Sequence, residues 1–271
     1  MKIGTTTFGF RYSFLDPARS PTLVEVIREA REAGVERLQV CENTRPLEFS
    51  KSDWREALRC ANELGVEIQL GCKTLGAKVV EDHIRLAQDI GCQQLRIVME
   101  EPEQHASEAN ATRLLEAIVP KIQSAGMSLA VENHFDIASK LLLKLVSAYP
   151  EDVVGFCVDT ANSLRSFEPT GEVMSLLGSR AYCYHLKDYR VAGSMISFSV
   201  LGAPLGEGSL DLDACLSLIF ANQPAPPLYV ETWTPSENGR EQDIAREADW
   251  LKRSVQNLRR RLNGTHEPWE R

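Results

Sequence analysis

Residues 129–136 read LAVENHFD. Three apolar residues run straight into a glutamate, an asparagine and a histidine. A buried strand that ends by aiming a carboxylate and an imidazole at one place is uncommon, and this chain repeats the pattern. Residues 154–160 read VGFCVDT, 181–188 read AYCYHLKD, and 227–233 read PLYVETW. In a strand, every second side chain faces the same way. Alternation therefore aligns Glu132 with Ala130, Asp159 with Cys157, His185 with Cys183, and Glu231 with Tyr229. In each case a ligand-type residue follows a smaller or less polar one at the strand's end.

Working outward, four more short apolar runs precede these: IGTTTF (3–8), RLQVCE (37–42), VEIQLGC (66–72) and QLRIVME (94–100). Amphipathic helical patterns fill the gaps. They cover 23–34, 53–65 (opening on Asp53 as cap), 79–91, 107–126, 138–150, 172–179, 209–222 (capped by Ser209) and 237–262. Eight strands alternating with eight helices at a spacing of about 30 residues is the signature of parallel βαβ units. At 271 residues a closed (β/α)8 TIM barrel is the economical arrangement, and a doubly wound open sheet is the alternative. Eight equal units offer no topological switch point, which favours the barrel. The reading is a single domain over 1–271, with 264–271 as a polar tail. Residues 188–209 form the one long connection, a candidate binding loop with four glycines.

In a barrel, function sits at the C-terminal ends of the strands. Glu132, Asp159, His185 and Glu231 would then meet at one rim. Three crowded carboxylates repel one another and call for a positive partner. Three oxygen donors and one imidazole suit one divalent cation, Mn2+ first, with Mg2+ or Co2+ as alternatives. Seven scattered cysteines without a C-x-x-C pair suit a reducing cytoplasm and argue against a zinc–cysteine site. A formal net charge of −8 disfavours a nucleic-acid partner. There is no run long enough for a membrane span. A homo-oligomer is compatible with all of this.

VENH, VDTANS, HLKD and YVET, in this order and at these spacings, resemble the xylose-isomerase-like sugar isomerase/epimerase superfamily. The resemblance extends along essentially the whole chain. It implies Glu132, Asp159, His185 and Glu231 as metal ligands, with Glu132 and Glu231 also as the acid/base pair. It implies an isomerase or epimerase that moves a proton through a metal-stabilised enediolate of a small carbohydrate. Two positions depart from the pattern of the 3-epimerases: Asn162 stands where they carry a histidine, and Lys187, with Arg190 beyond it, stands where they use an arginine. A lysine beside the metal cluster points to an anionic sugar or sugar acid. The alternative is a lyase on the same site, decarboxylating or dehydrating a keto sugar acid. His134 is a candidate for polarising the substrate, and Phe8 and Trp233 for walling the pocket. Apurinic endonucleases share the barrel, but they need three zinc ions and more histidines at strand ends than the two found here, His134 and His185. A barrel that only binds a ligand is a further class, and the intact ligand set argues against it.

Overall fold

The computed structural model describes residues 1–101, 106–237 and 239–264. Eight parallel strands close into a barrel: β1 (Ile3–Thr6), β2 (Arg37–Val40), β3 (Glu67–Lys73), β4 (Gln94–Val98), β5 (Ser128–Glu132), β6 (Val154–Asp159), β7 (Ala181–Leu186) and β10 (Leu228–Val230). Each pairs with its neighbours around the ring, and β1 closes it against β10 through Ile3–Leu228, Gly4–Tyr229 and Thr5–Val230. Around the barrel run α1 (Leu23–Glu32), α2 (Lys51–Leu64), α3 (Ala77–Ile90), α4 (Glu108–Ser124), α5 (Ser139–Val146), α6 (Thr170–Leu177), α7 (Leu212–Asn222) and α8 (Arg240–Gly264). The expected (β/α)8 TIM barrel is the observed fold. Of the polar tail expected at 264–271, residues 265–271 lie outside the described residues.

The helices form where the sequence supplies both a cap and an apolar face. Thr22 and Glu25 make a reciprocal capping box at the start of α1, which satisfies two otherwise orphaned N–H groups. Its buried stripe is Leu23, Val26, Ile27 and Ala30. Two caps differ from the sequence reading. Ser50, not Asp53, caps α2; Asp53 is the third residue of the helix and bonds back to the Ser50 N–H. Asp211, not Ser209, caps α7. In each case two capping types stand close together, and the geometry selects the one at the turn.

Two hydrophobic layers result. The larger lies between strands and helices; the smaller lies inside the barrel and consists of Ala130, Cys157, Cys183 and Tyr229. These interior residues directly underlie the four strand ends. Gly71 on β3 leaves room for Cys41 and Arg96. A Cβ there would stand 3.0 Å from Cys41 Sγ and 3.4 Å from the Arg96 guanidinium.

The long connection at 188–209 is not an irregular loop. It folds into an antiparallel ribbon of β8 (Asp188–Gly193) and β9 (Phe198–Ala203). One carboxylate ties down its base: Asp188 accepts from the N–H groups of Tyr189 and Leu210 on Oδ1 and of Gly206 and Gly208 on Oδ2, at 2.7–3.0 Å. Glu207 at the same base accepts from Arg253 and Asn257 of α8. The tip is exposed and apolar, with Met195, Ile196 and Phe198 in solvent.

Candidate active site

Strand register delivers the four sequence-selected residues to the same end of the barrel on staggered levels. Glu132 is the last residue of β5 and Asp159 of β6; Asp159 is the register partner of His185 on β7. Tyr229 of β10 pairs with His185, so Glu231 emerges one step above. All four are at most 5% exposed. One ligand atom each from Glu132, Asp159 and His185 lies within 4.8 Å of the others. His185 Nδ1 is 3.0 Å from Glu231 Oε2 and 3.6 Å from Glu132 Oε2.

Two buried cations balance the carboxylates. Lys187 Nζ lies 2.8 Å from Glu231 Oε1, 3.0 Å from Asp159 Oδ2 and 3.1 Å from Asn162 Oδ1. Arg96, from the middle of β4, donates through Nε to Glu132 and through Nη1 to Glu42 at 3.1 Å. Asn162 Nδ2 donates to Glu132 Oε1 at 2.8 Å.

These contacts set the proton affinities. Burial alone would raise the pKa of Glu132, but Arg96, His185 and Lys187 outweigh it and hold the group below the usual carboxylate range. Burial likewise opposes ionisation of Glu231, and Lys187 and His185 override it strongly. Asp159 goes the other way, because burial pushes it up and Lys187 only partly offsets this. Burial disfavours the Lys187 ammonium, yet Asp159 and Glu231 hold it charged, well above its ordinary value.

The residues fit a divalent ion by donor chemistry and proximity. Glu132, Asp159 and His185 each place one ligand atom within 4.8 Å of the others. Glu231 Oε2 lies 3.0 Å from His185 Nδ1. Three carboxylates and one imidazole are a donor set that a divalent ion with oxygen and nitrogen ligands satisfies.

Above this cluster opens a cavity of about 240 Å³. Phe8, Phe135 and Trp233 supply aromatic wall; Arg11, Lys73, Arg96 and Lys187 line the cavity together with Glu42, Glu231 and Glu247. His134 also lines it, with Nδ1 2.6 Å from Glu100 Oε1, while Lys73 Nζ reaches Glu100 Oε2 at 2.8 Å. Burial opposes ionisation of Glu100, but His134 and Lys73 bring its pKa down to about 2. A cleft of about 500 Å³ at the other end of the barrel, among Met1, Phe220 and Leu262, carries no carboxylate or imidazole.

The structure thus brings together Glu132, Asp159, His185, Glu231 and Lys187, with Phe8, His134 and Trp233 on the cavity wall. Asn162 is 1% exposed and sits behind Glu132, outside the cavity lining. Arg190 is not brought to the site. It rides on the exposed ribbon, its side chain 54% exposed and 3.9 Å from Glu237, because β8 leaves the barrel after Asp188. Among the residues of the site that sequence reasoning does not select are Glu42, Arg96, Glu100 and Glu247. For Arg96 a signal exists: a lone charge inside the apolar strand QLRIV.

Among the described residues no helix is long and apolar enough to cross a membrane. A curated relative, 3-oxo-isoapionate decarboxylase of Pectobacterium atrosepticum, is 24% identical over 261 residues, covering 95% of each chain. A xylose isomerase-like TIM barrel protein from Mycobacterium smegmatis, solved in complex with magnesium, superposes with a TM-score of 0.71 at 15% identity over 95% of this chain and 97% of that one. D-psicose 3-epimerase from Clostridium cellulolyticum H10, solved with D-tagatose, gives 0.71 at 11% identity over 96% and 99%. At such identities the structural likeness speaks for the fold. The family model described as xylose isomerase-like TIM barrel matches residues 27–254, so the chain belongs to the xylose isomerase-like TIM barrel family.

Proposed function

We propose that this chain is a divalent-metal-dependent lyase that decarboxylates a small keto sugar acid. The observation that carries the reading is the state of the two glutamates. Glu132 is bonded to Arg96 and Asn162, and Glu231 to Lys187. A carboxylate already engaged by a buried cation is a poorer proton acceptor. Epimerisation must begin by abstracting a proton from carbon. Decarboxylation needs no such base: the C–C bond breaks, CO2 leaves, the electron pair passes to the adjacent carbonyl, and the resulting enolate takes one proton from solvent at carbon. Arg11 and Lys73 on the cavity wall suit a substrate that carries its own carboxylate,. The relative from P. atrosepticum, matched from end to end, is named for this reaction class.

Glu132, Asp159, His185 and Glu231 would hold the ion, Mn2+ or Mg2+ by donor type. When bound, the ion supplies Lewis-acid polarisation of the substrate's carbonyl. Lys187 keeps its charge and holds Asp159 and Glu231 in place. Arg11 and Lys73 stand where they can take the anionic end of the substrate. Phe8 and Trp233 exclude water from one side.

A second reading is an isomerase or epimerase of a neutral or anionic sugar. The observation favouring it is that Glu132 and Glu231 come from separate strands to one site, as a two-base proton transfer requires. The two separate in one experiment. Keto sugar acids and neutral ketoses are incubated in D2O, and CO2 release is measured alongside deuterium entry into unreacted substrate. CO2 from a keto acid is the expected result. Exchange into a ketose without CO2 would replace the lyase reading with the isomerase one. EDTA should abolish turnover, and Mn2+, Mg2+ or Co2+ restore it; full turnover after EDTA removes the ion from the proposal.

A further inference from the structure

Directly beneath the carboxylate site lies a group of softer ligands that the reaction above does not use. Cys157 on β6 and Cys183 on β7 are register partners, and both are fully buried. They face the barrel interior beside Ala130 and Tyr229. Asp159 and His185 follow them by two residues on the same strands and are themselves register partners. The two thiols therefore lie one inward step below Asp159 and His185, within reach of the imidazole.

The two sulfurs and one ring nitrogen of His185 all lie within 4.8 Å of one another. The ring is fully buried. Nδ1 is the nitrogen near Glu231 and Glu132, which leaves Nε2 for the thiols. We propose that Cys157, Cys183 and His185 form a second cation site, selective for a thiophilic ion such as Cd2+ or Zn2+, that competes with the upper site through the shared imidazole. Thiolate ligands select soft and borderline ions, whereas carboxylates select hard ones. A neutral imidazole has a single lone pair. It can therefore serve the lower site or the upper site, but not both. Thiolate is the ligand form, so binding displaces the protons of both thiols to solvent, and the ion's own charge drives their loss. The consequence is inhibition by thiophilic ions that withdraw His185 from the metal centre without touching the substrate.

The full chain, reduced and stripped of metal, is loaded with Mn2+ and then titrated with Cd2+. Bound Mn2+ is followed by electron paramagnetic resonance, and thiolate-to-cadmium charge transfer by ultraviolet absorption. The charge-transfer band should grow as Mn2+ is released. Cys157→Ala and Cys183→Ala should each lose most of the band while still binding Mn2+, which also shows that they fold. Cadmium NMR of the unsubstituted chain, whose shift responds to sulfur ligation, tests the same contacts without a substitution. The proposal is overturned if no band forms, if the band is undiminished in both variants, or if Mn2+ stays bound as the band saturates. Failure of the metal-free chain to bind Mn2+ at all would count against the upper site and leave the lower one standing.

Discussion

Replacing Lys187 by Met tests the electrostatic logic of the site directly. The ammonium has three acceptors, at 2.8 Å (Glu231), 3.0 Å (Asp159) and 3.1 Å (Asn162). Its partners are buried, so solvent cannot replace it. Removing one member of a buried ion pair costs about 3–5 kcal/mol, because the other charge is left uncompensated. Met keeps most of the stem's volume, so the cavity contribution is small. In EDTA, Lys187→Met should therefore lose about 3–5 kcal/mol of stability. A divalent ion changes the balance. At about 100 times its Kd an ion adds about 2.7 kcal/mol to any chain that binds it. The variant should gain more than the parent, since no ammonium then competes for Asp159 and Glu231. We expect its Mn2+ affinity to rise at least about tenfold, or about 1.4 kcal/mol. Urea denaturation with EDTA and with Mn2+, together with calorimetric titration of Mn2+, measures both quantities. Equal destabilisation in the two conditions, with unchanged Mn2+ affinity, would refute the view that Lys187 is the counter-charge of the carboxylate cluster.

Three further expectations follow from other contacts. Glu247 on α8 lines the cavity and accepts from the Tyr12 N–H at 3.0 Å; burial pushes its pKa from 4.5 up to about 8. The folded state thus binds an extra proton between these values, so stability should fall by a few kcal/mol as pH rises from about 4.5 to about 8. Glu247→Gln should flatten that slope in denaturation midpoints, and an unchanged slope would assign it to another group. At Gly202 a Cβ would lie 1.9 Å from the Trp233 carbonyl oxygen; Gly202→Ala must move the cavity wall, and we expect a raised KM with little change in kcat. Asp188→Ala leaves four N–H groups without their carboxylate and should cost about 3 kcal/mol or more. Rapid proteolytic cleavage within 188–209 would report it, whereas parental resistance would show that the ribbon is held by other contacts.

The barrel is legible in the sequence because its signal repeats. Each strand is short, apolar and bounded by a helix with its own caps, and errors at single boundaries do not alter the count. The four strand ends are legible for a related reason: period-two alternation fixes which residue faces inward, whatever the strand's exact limits. The ribbon is not legible. FSVLGA alternates weakly, VAGSMIS is punctuated by small residues, and an exposed ribbon leaves no buried stripe to recognise. Arg96 escapes because sequence locates a Cα and not the reach of a long side chain. Its Cα lies mid-strand, yet its guanidinium meets Glu132 at the strand's end. Glu247 carries no local signal at all. It reaches the cavity only because α8, the last helix, packs against residues 7–14 near the first strand.

The Asp188 carboxylate has a bearing on how this protein could change. As the first residue of the ribbon it binds the N–H groups of Tyr189 beside it and of Gly206, Gly208 and Leu210 before α7 on the same two oxygens. The insertion therefore leaves and rejoins the scaffold at a single point. Changes of length confined to the outer part of the ribbon, 191–200, are expected to transmit little strain to His185 or Lys187 in the barrel. A barrel built this way is a natural starting point for loop exchange beside its own mouth.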